Sequence, residues 1–140
     1  MQHFADRLNE LAISENIATV IEPQTGYVPP PLDGVWARYP YLHNNAVPSL
    51  CALLEVAADR PTSFVQGPSE SLADYDVDCV GYPTGDAIPA EWLVDEDTTY
   101  AVGGPGMSNA GHDAWLTDEA GAPVFTAADK VDLITFLKTL

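Results

Sequence analysis

Proline placement limits how much regular structure this chain can form. Residues 25–31 read TGYVPPP, and the three consecutive prolines lack the backbone donors of a helix and favour an extended path. Five more prolines interrupt residues 61–106, at positions 61, 68, 83, 89 and 105. We therefore expect mostly irregular chain in that segment, with short extended pieces at 63–66, 79–82 and 98–102.

Three stretches have helical periodicity. The spacing of Phe4, Leu8 and Leu11 predicts a short amphipathic helix over residues 3–13. A leucine stripe predicts a second helix at about residues 48–58, which has to end before Pro61. The third lies at the carboxyl end of the sequence, where Thr126 is a good N-cap with Asp129 three residues on.

The balance of charge excludes two classes of partner. Twenty-one acidic residues face five basic ones, which gives a net charge of −16. Nucleic acids and anionic membranes are bound through clustered basic side chains, so we expect neither. A solvated acidic surface is the simplest interpretation, and a basic redox partner or cationic substrate steered by this field is the alternative.

Length and hydropathy favour one domain. A chain of 140 residues can bury a core of its own, so we expect a single domain over residues 1–140. No stretch approaches the roughly 20 apolar residues that span a bilayer. Residues 1–21 lack the basic and apolar regions of a signal peptide, so none is expected there.

The two cysteines leave two alternatives. Cys51 and Cys79 either form one disulfide in an oxidising compartment or remain buried thiols in a reducing one. Both lie near proline- and glycine-rich connections that a cross-link would stabilise, which favours the disulfide. Neither belongs to a Cys-x-x-Cys-His motif, so the sequence has no covalent haem attachment site of its own.

Two runs each place one histidine among small, turn-forming and aromatic residues. His43 lies within LDGVWARYPYLHNNAVPSL at residues 32–50, and His112 ends SNAGH at residues 108–112. Taken alone, each histidine is more simply a hydrogen-bonded structural group. However, imidazole is also an axial ligand of haem iron, and the glycine-rich loop at residues 103–111 can approach a flat macrocycle closely.

The order and residue content of these runs resemble the C-terminal haem domain of di-haem c-type cytochromes, both rubber-oxygenase-like and cytochrome c peroxidase-like. The likeness covers about residues 26–66 and 105–140, and Asn45 stands where this family usually has glycine. The resemblance implies a mainly α fold with long irregular loops. The domain would be cytochrome-c-like but incomplete, because its haem-attachment helix is absent.

The resemblance also implies roles for individual residues. His112 would be the distal axial ligand, and the one metal ligand, of a haem c attached outside this chain. His43 would lie close to the haem as a hydrogen-bonding group. The remaining candidate cofactor-binding residues are an amide that holds a loop carbonyl or the imidazole, a cation for a haem propionate and two aromatic walls: Asn109, Arg38, Trp36 and Tyr41.

A histidine that closes the sixth position of the iron suits electron transfer better than activation of peroxide or oxygen. The resemblance therefore implies the C-terminal part of a periplasmic or extracellular c-type cytochrome, with any oxidoreductase catalysis at another haem. Its partner would be the haem-bearing segment or chain. The alternative is a haem-free binding or structural module derived from the same fold. A hydrolase or metal enzyme has no HExxH, GxSxG or phosphate-binding loop to support it.

Overall fold

The computed structural model describes residues 6, 7, 9, 10, 22, 26, 28–68, 70–94 and 98–140. Contacts divide the chain into two compact units, Met1–Pro31 and Leu32–Leu140. In the first unit, Asp6, Arg7 and Asn9 are helical, and the Glu10 amide donates to the Asp6 carbonyl at 3.1 Å. The rest of the helix predicted at 3–13 lies outside the described residues. A single domain over residues 1–140 stays a prediction.

Two α-helices lie in the described part of the second unit. Helix α1, Leu50–Leu53, is one turn, and its N-cap Ser49 accepts a hydrogen bond from the Ala52 amide at 3.2 Å. Helix α2, Ala127–Leu137, begins after Thr126, which forms a reciprocal capping box with Asp129. The capping box lowers the pKa of Asp129, mainly through the Thr126 hydroxyl. The predicted third helix is confirmed.

The second predicted helix is much shorter than residues 48–58. The guanidinium of Arg60 donates to the carbonyls of Leu53, at 3.5 Å, and Glu55, at 3.0 Å. The Ala57 amide donates to the Asp113 carboxylate at 2.9 Å instead of to a helical carbonyl. Side-chain partners thus replace the next helical turn, and the helix ends at Leu53.

Two short strands pair in one antiparallel sheet. Strand β1, Ser63–Val65, pairs with β2, Thr99–Ala101, and Phe64 lies opposite Tyr100. Their rings stack with centroids 5.1 Å apart. The extended pieces predicted at 63–66 and 98–102 are therefore confirmed in substance. The piece predicted at 79–82 is a turn followed by isolated bridges from Gly81 to Ser49 and Asp76.

The mainly α expectation is wrong. In the second unit, apart from the two helices and two strands, the described elements are short 3₁₀ turns, at Val35–Ala37, Leu72–Asp74, Gly85–Ala87 and Ala90–Val94. Most of the described chain is irregular. Prolines remove ladder donors throughout residues 61–106, and several carbonyls of the described chain accept hydrogen bonds from side chains.

The core forms where α1 meets α2. Val47, Leu50 and Val80 are almost completely buried, and Ile134 of α2 packs into the same cluster. Gly81 lies beside it at a φ of 153°, where an added Cβ would come within 2.1 Å of the Pro48 carbonyl oxygen. Only glycine permits this close approach. Within the described residues, no helix is long and apolar enough to cross a bilayer.

A disulfide cross-links Cys51 and Cys79 at the edge of this core. Their Cα atoms are 4.9 Å apart and the two residues are separated by 28 positions. The backbone supports the same connection, because the Cys51 amide donates to the Cys79 carbonyl at 3.3 Å. The first of the two alternatives left open by the sequence is the one that the structure shows.

We expect the double variant Cys51→Ala/Cys79→Ala to lose about 3 to 4 kcal/mol of unfolding free energy. Without the cross-link, the unfolded chain gains the conformational entropy of a loop whose ends are 28 positions apart, and this lowers the free energy of unfolding. Denaturant unfolding with and without a thiol reductant measures it. Reductant should destabilise the wild type and leave the double variant unchanged. A wild-type midpoint insensitive to reductant would contradict the pairing.

Candidate functional site

His43 and His112 lie side by side at the surface. Their ring centroids are 6.0 Å apart and the ring planes meet at 66°. Both side chains are exposed. His43 follows Leu42, which has a left-handed φ of 67°, and His112 ends the loop at residues 106–112 with a φ of 57°. The fold thus brings together the histidines of two runs that are far apart in sequence.

Asn44 joins the two histidine-bearing segments. Its side-chain amide donates to the Gly106 carbonyl at 2.9 Å and to the Ser108 carbonyl at 2.7 Å. Its own carbonyl accepts a bond from the Tyr100 hydroxyl at 3.4 Å. The residue next to His43 therefore holds the beginning of the loop that ends in His112.

Arg60 holds the other half of this loop. Its Nη1 donates to the Asn109 carbonyl at 2.7 Å and to the Gly111 carbonyl at 2.8 Å. The side chain is only 3% exposed, although its nearest acceptors are carbonyls rather than a carboxylate. Burial lowers the pKa of Arg60, and the negative charge of Asp113 opposes that shift.

The backbone of His112 is fixed as well. Trp115 Nε1 donates to the His112 carbonyl at 2.8 Å. The neighbouring Asp113 is anchored by the Ala57 amide at 2.9 Å. A left-handed φ costs a residue with a Cβ about 1 kcal/mol. These bonds hold His112 in that conformation, so its exposed imidazole projects from an ordered loop.

The remaining predicted residues are divided between this site and other places. Asn109 belongs to the loop, and its side-chain amide donates to the Pro61 carbonyl at 2.9 Å. Tyr41 lies in the core, where its hydroxyl is within hydrogen-bond distance of the Val35 and Val80 carbonyls. Burial raises the pKa of Tyr41, with further contributions from neighbouring tyrosines. Its side chain is 7% exposed, so it offers no open wall.

Trp36 and Arg38 lie in and just after the 3₁₀ turn Val35–Ala37. Arg38 donates to the Asp33 carbonyl. Trp36 is half-exposed and lines a groove of about 480 Å³ whose other walls are Ala37, Tyr39, Glu70, Ser71, Leu72 and Tyr75. Neither histidine lines this groove. The predicted contacts of Trp36 and Arg38 with a haem stay predictions.

Sequence reasoning did not predict which residues hold the loop, namely Asn44, Arg60 and Trp115. One signal was available for Arg60. It is one of five basic residues in a strongly acidic chain and directly precedes Pro61, where a helix has to end. A cation there is suited to the last carbonyls of a helix.

Comparison with known proteins supports the resemblance. Residues 26–65 match the family described as RoxA-like, cytochrome c-like. This matched segment contains His43, Asn44 and Arg60, whereas the loop that ends in His112 lies beyond it. No solved structure matches the chain significantly.

Two longer proteins of Sinorhizobium fredii are similar over most of this chain. The uncharacterized protein y4iJ is 39% identical over 86% of this chain, and the uncharacterized protein y4iM is 39% identical over 81% of it. This similarity covers only 19% of the first relative and 27% of the second. The chain therefore spans about a fifth to a quarter of the length of these relatives.

We expect Asn44→Ala to separate the two histidines. Removing two bonds to loop carbonyls should cost about 1 to 2 kcal/mol of unfolding free energy. Proton NMR should show weaker through-space contacts between the rings of His43 and His112. Asn45→Gly is the matched control, because Asn45 is exposed and has a φ of 57° that glycine adopts readily. Ring contacts as strong in Asn44→Ala as in wild type would refute this role.

Proposed function

We propose that this chain, whose residues 26–65 are of the RoxA-like, cytochrome c-like type, offers His112 as the distal axial ligand of a haem c attached to other sequence. The observation that carries the proposal is the placement of His112. Its imidazole is exposed, and the loop beneath it is held by Asn44 and Arg60 from the matched segment.

The donor chemistry of the site is compatible with a haem iron. Imidazole nitrogen is an axial ligand that haem iron accepts, and an exposed imidazole can reach iron that another segment carries. In the described part of the chain, no group of three or more His, Cys, Asp or Glu side chains is placed to hold a metal ion. The two histidines are thus better suited to a partner that brings its own metal and its other ligands.

A haem held through His112 would supply one-electron redox chemistry. The chain itself would bind the iron through His112 and keep the imidazole at one orientation. His43, whose ring centroid lies 6.0 Å from that of His112, would hydrogen-bond the His112 imidazole through a bridging water rather than directly. These roles favour electron transfer, with any oxygen or peroxide chemistry at a different haem.

Among redox partners, a net charge of −16 favours a basic one. Such a partner would be steered by the field of this chain, and its association rate would fall as salt is added. The haem-bearing partner itself is either another part of a longer polypeptide or a separate chain. The longer relatives favour the first arrangement.

A location outside the cytoplasm fits the same proposal. The Cys51–Cys79 disulfide is of the kind that persists in oxidising compartments and is rare in the cytosol. Alkylation of free thiols in intact cells tests this location. Protein recovered with both cysteines alkylated would contradict it.

The decisive experiment is a titration of this chain, without an affinity tag, into a ferric c-type haem peptide. The peptide should carry one axial histidine and an open sixth position. We expect the absorbance and electron paramagnetic resonance spectra to change from high-spin to low-spin. His112→Asn should abolish this change, because asparagine tolerates the φ of 57° but cannot replace imidazole as a ligand.

Two matched variants complete the test. His3→Asn removes the third histidine of the chain and should leave the spectral change intact. His43→Asn should retain the low-spin state with weaker affinity, by up to roughly tenfold. A low-spin change that survives His112→Asn, or that is lost in His43→Asn alone, would overturn the assignment of the ligand. No spectral change with the wild type would favour the haem-free module.

A further inference from the structure

We propose that Arg60 is the positioning residue of this site, and that its guanidinium sets the orientation in which His112 meets the haem iron. The inference rests on the proposed function for the identity of that metal centre. It rests on the geometry of Arg60 for everything else.

The guanidinium connects two parts of the chain that no regular element joins. Its Nε and Nη2 donate to the carbonyls of Glu55 and Leu53, at the end of α1. Its Nη1 donates to the carbonyls of Asn109 and Gly111, in the loop before His112. One buried side chain therefore ties the histidine loop to the end of α1, which packs in the core.

Arginine is suited to this position and lysine is not. The planar fork presents five N–H donors in fixed directions, so it reaches carbonyls on two sides at once. An ammonium group is a compact point charge on a flexible stem and cannot span both sets. The charge is also buried, whereas the described cations Arg7, Arg38 and Lys138 are exposed. A charge taken out of water has to be compensated by well-placed acceptors.

The hydrogen bonds of Arg60 include one to the peptide group next to His112, where they restrict the backbone of His112 most directly. The Gly111 carbonyl belongs to the peptide group that immediately precedes His112, and Gly111 and His112 both have a left-handed φ, of 87° and 57°. Fixing this peptide restricts the direction in which the imidazole leaves the backbone. A loop ordered before binding does not have to be ordered by the ligand, which strengthens binding.

The test compares Arg60→Lys with wild type in two measurements. Hydrogen exchange of the amides at residues 109–113 reports the order of the loop without any ligand. Titration of the ferric haem peptide reports how well His112 is presented. We expect faster exchange in these amides and roughly tenfold weaker affinity, as is typical when a group that orients a metal ligand is lost.

Lys130→Met is the control for these measurements. Lys130 forms an ion pair with the Glu55 carboxylate at 2.8 Å, so its loss disturbs the same neighbourhood without touching the loop. It should leave exchange at residues 109–113 and haem-peptide affinity unchanged. If a folded Arg60→Lys variant matches wild type in both measurements, the positioning role is overturned.

If Arg60→Lys does not fold, a pair of glycine variants tests whether the Gly111 peptide that Arg60 holds controls the orientation of His112. Gly111 and Gly121 have φ values of 87° and 81°, and an added Cβ at either one meets nothing within 4 Å. The backbone strain is therefore the same, but only Gly111→Ala disturbs a carbonyl that Arg60 holds. We expect weaker haem-peptide affinity and faster loop exchange in Gly111→Ala alone. Equal behaviour of the two variants would refute the inference.

The two proposals fail in different ways. If wild type does not bind the haem peptide, the proposal that this chain binds a haem is wrong. The exchange measurement alone then decides whether Arg60 orders the loop. If wild type binds through His112 but Arg60→Lys binds equally well, the ligand assignment stands and the positioning role falls.

Discussion

A buried guanidinium holds this fold together where regular structure does not. Arg60 is 3% exposed and donates to carbonyls at the end of α1 and in the loop that leads to His112. Those carbonyls would otherwise need helical or water partners, and the cation would otherwise have no compensation for leaving water. Arg60 therefore contributes both to the end of α1, together with Asp113, and to the position of the histidine loop, together with Asn44.

Side chains also pair with backbone groups in other irregular parts of the molecule. Buried backbone groups have to be paired whether or not a ladder exists, so side chains take the role that neighbouring strands and turns have elsewhere. Asn44 and Asn109 bind carbonyls, and the Asp76 carboxylate accepts from the Asp78 and Cys79 amides. The Cys51–Cys79 disulfide adds a covalent connection next to the core. A chain with so little helix can be ordered in this way.

Sequence reasoning succeeded where the determinants are local. Helix α2 was predictable because Thr126 and Asp129 are three residues apart, and the strands because short extended runs lie between prolines. It failed at α1, whose length is set by Arg60 and Asp113 from outside the helix. The pairing of His43 with His112 and the burial of Tyr41 depend likewise on contacts between distant segments. No local periodicity encodes such contacts. The mainly α expectation came instead from the family resemblance, and it was wrong because most of the described chain is irregular.

Hydrogen bonds link the segment that matches the family to the histidine loop. The match covers residues 26–65 and stops well before His112. Within it, Asn44, Arg60 and Pro61 provide the partners of the Gly106, Ser108, Asn109 and Gly111 backbone carbonyls and of the Asn109 side chain. A change in the matched segment would therefore alter the presentation of a histidine that the match does not contain. For this reason we interpret the segment as a support for the loop that carries His112, and its own histidine, His43, as the neighbour of His112.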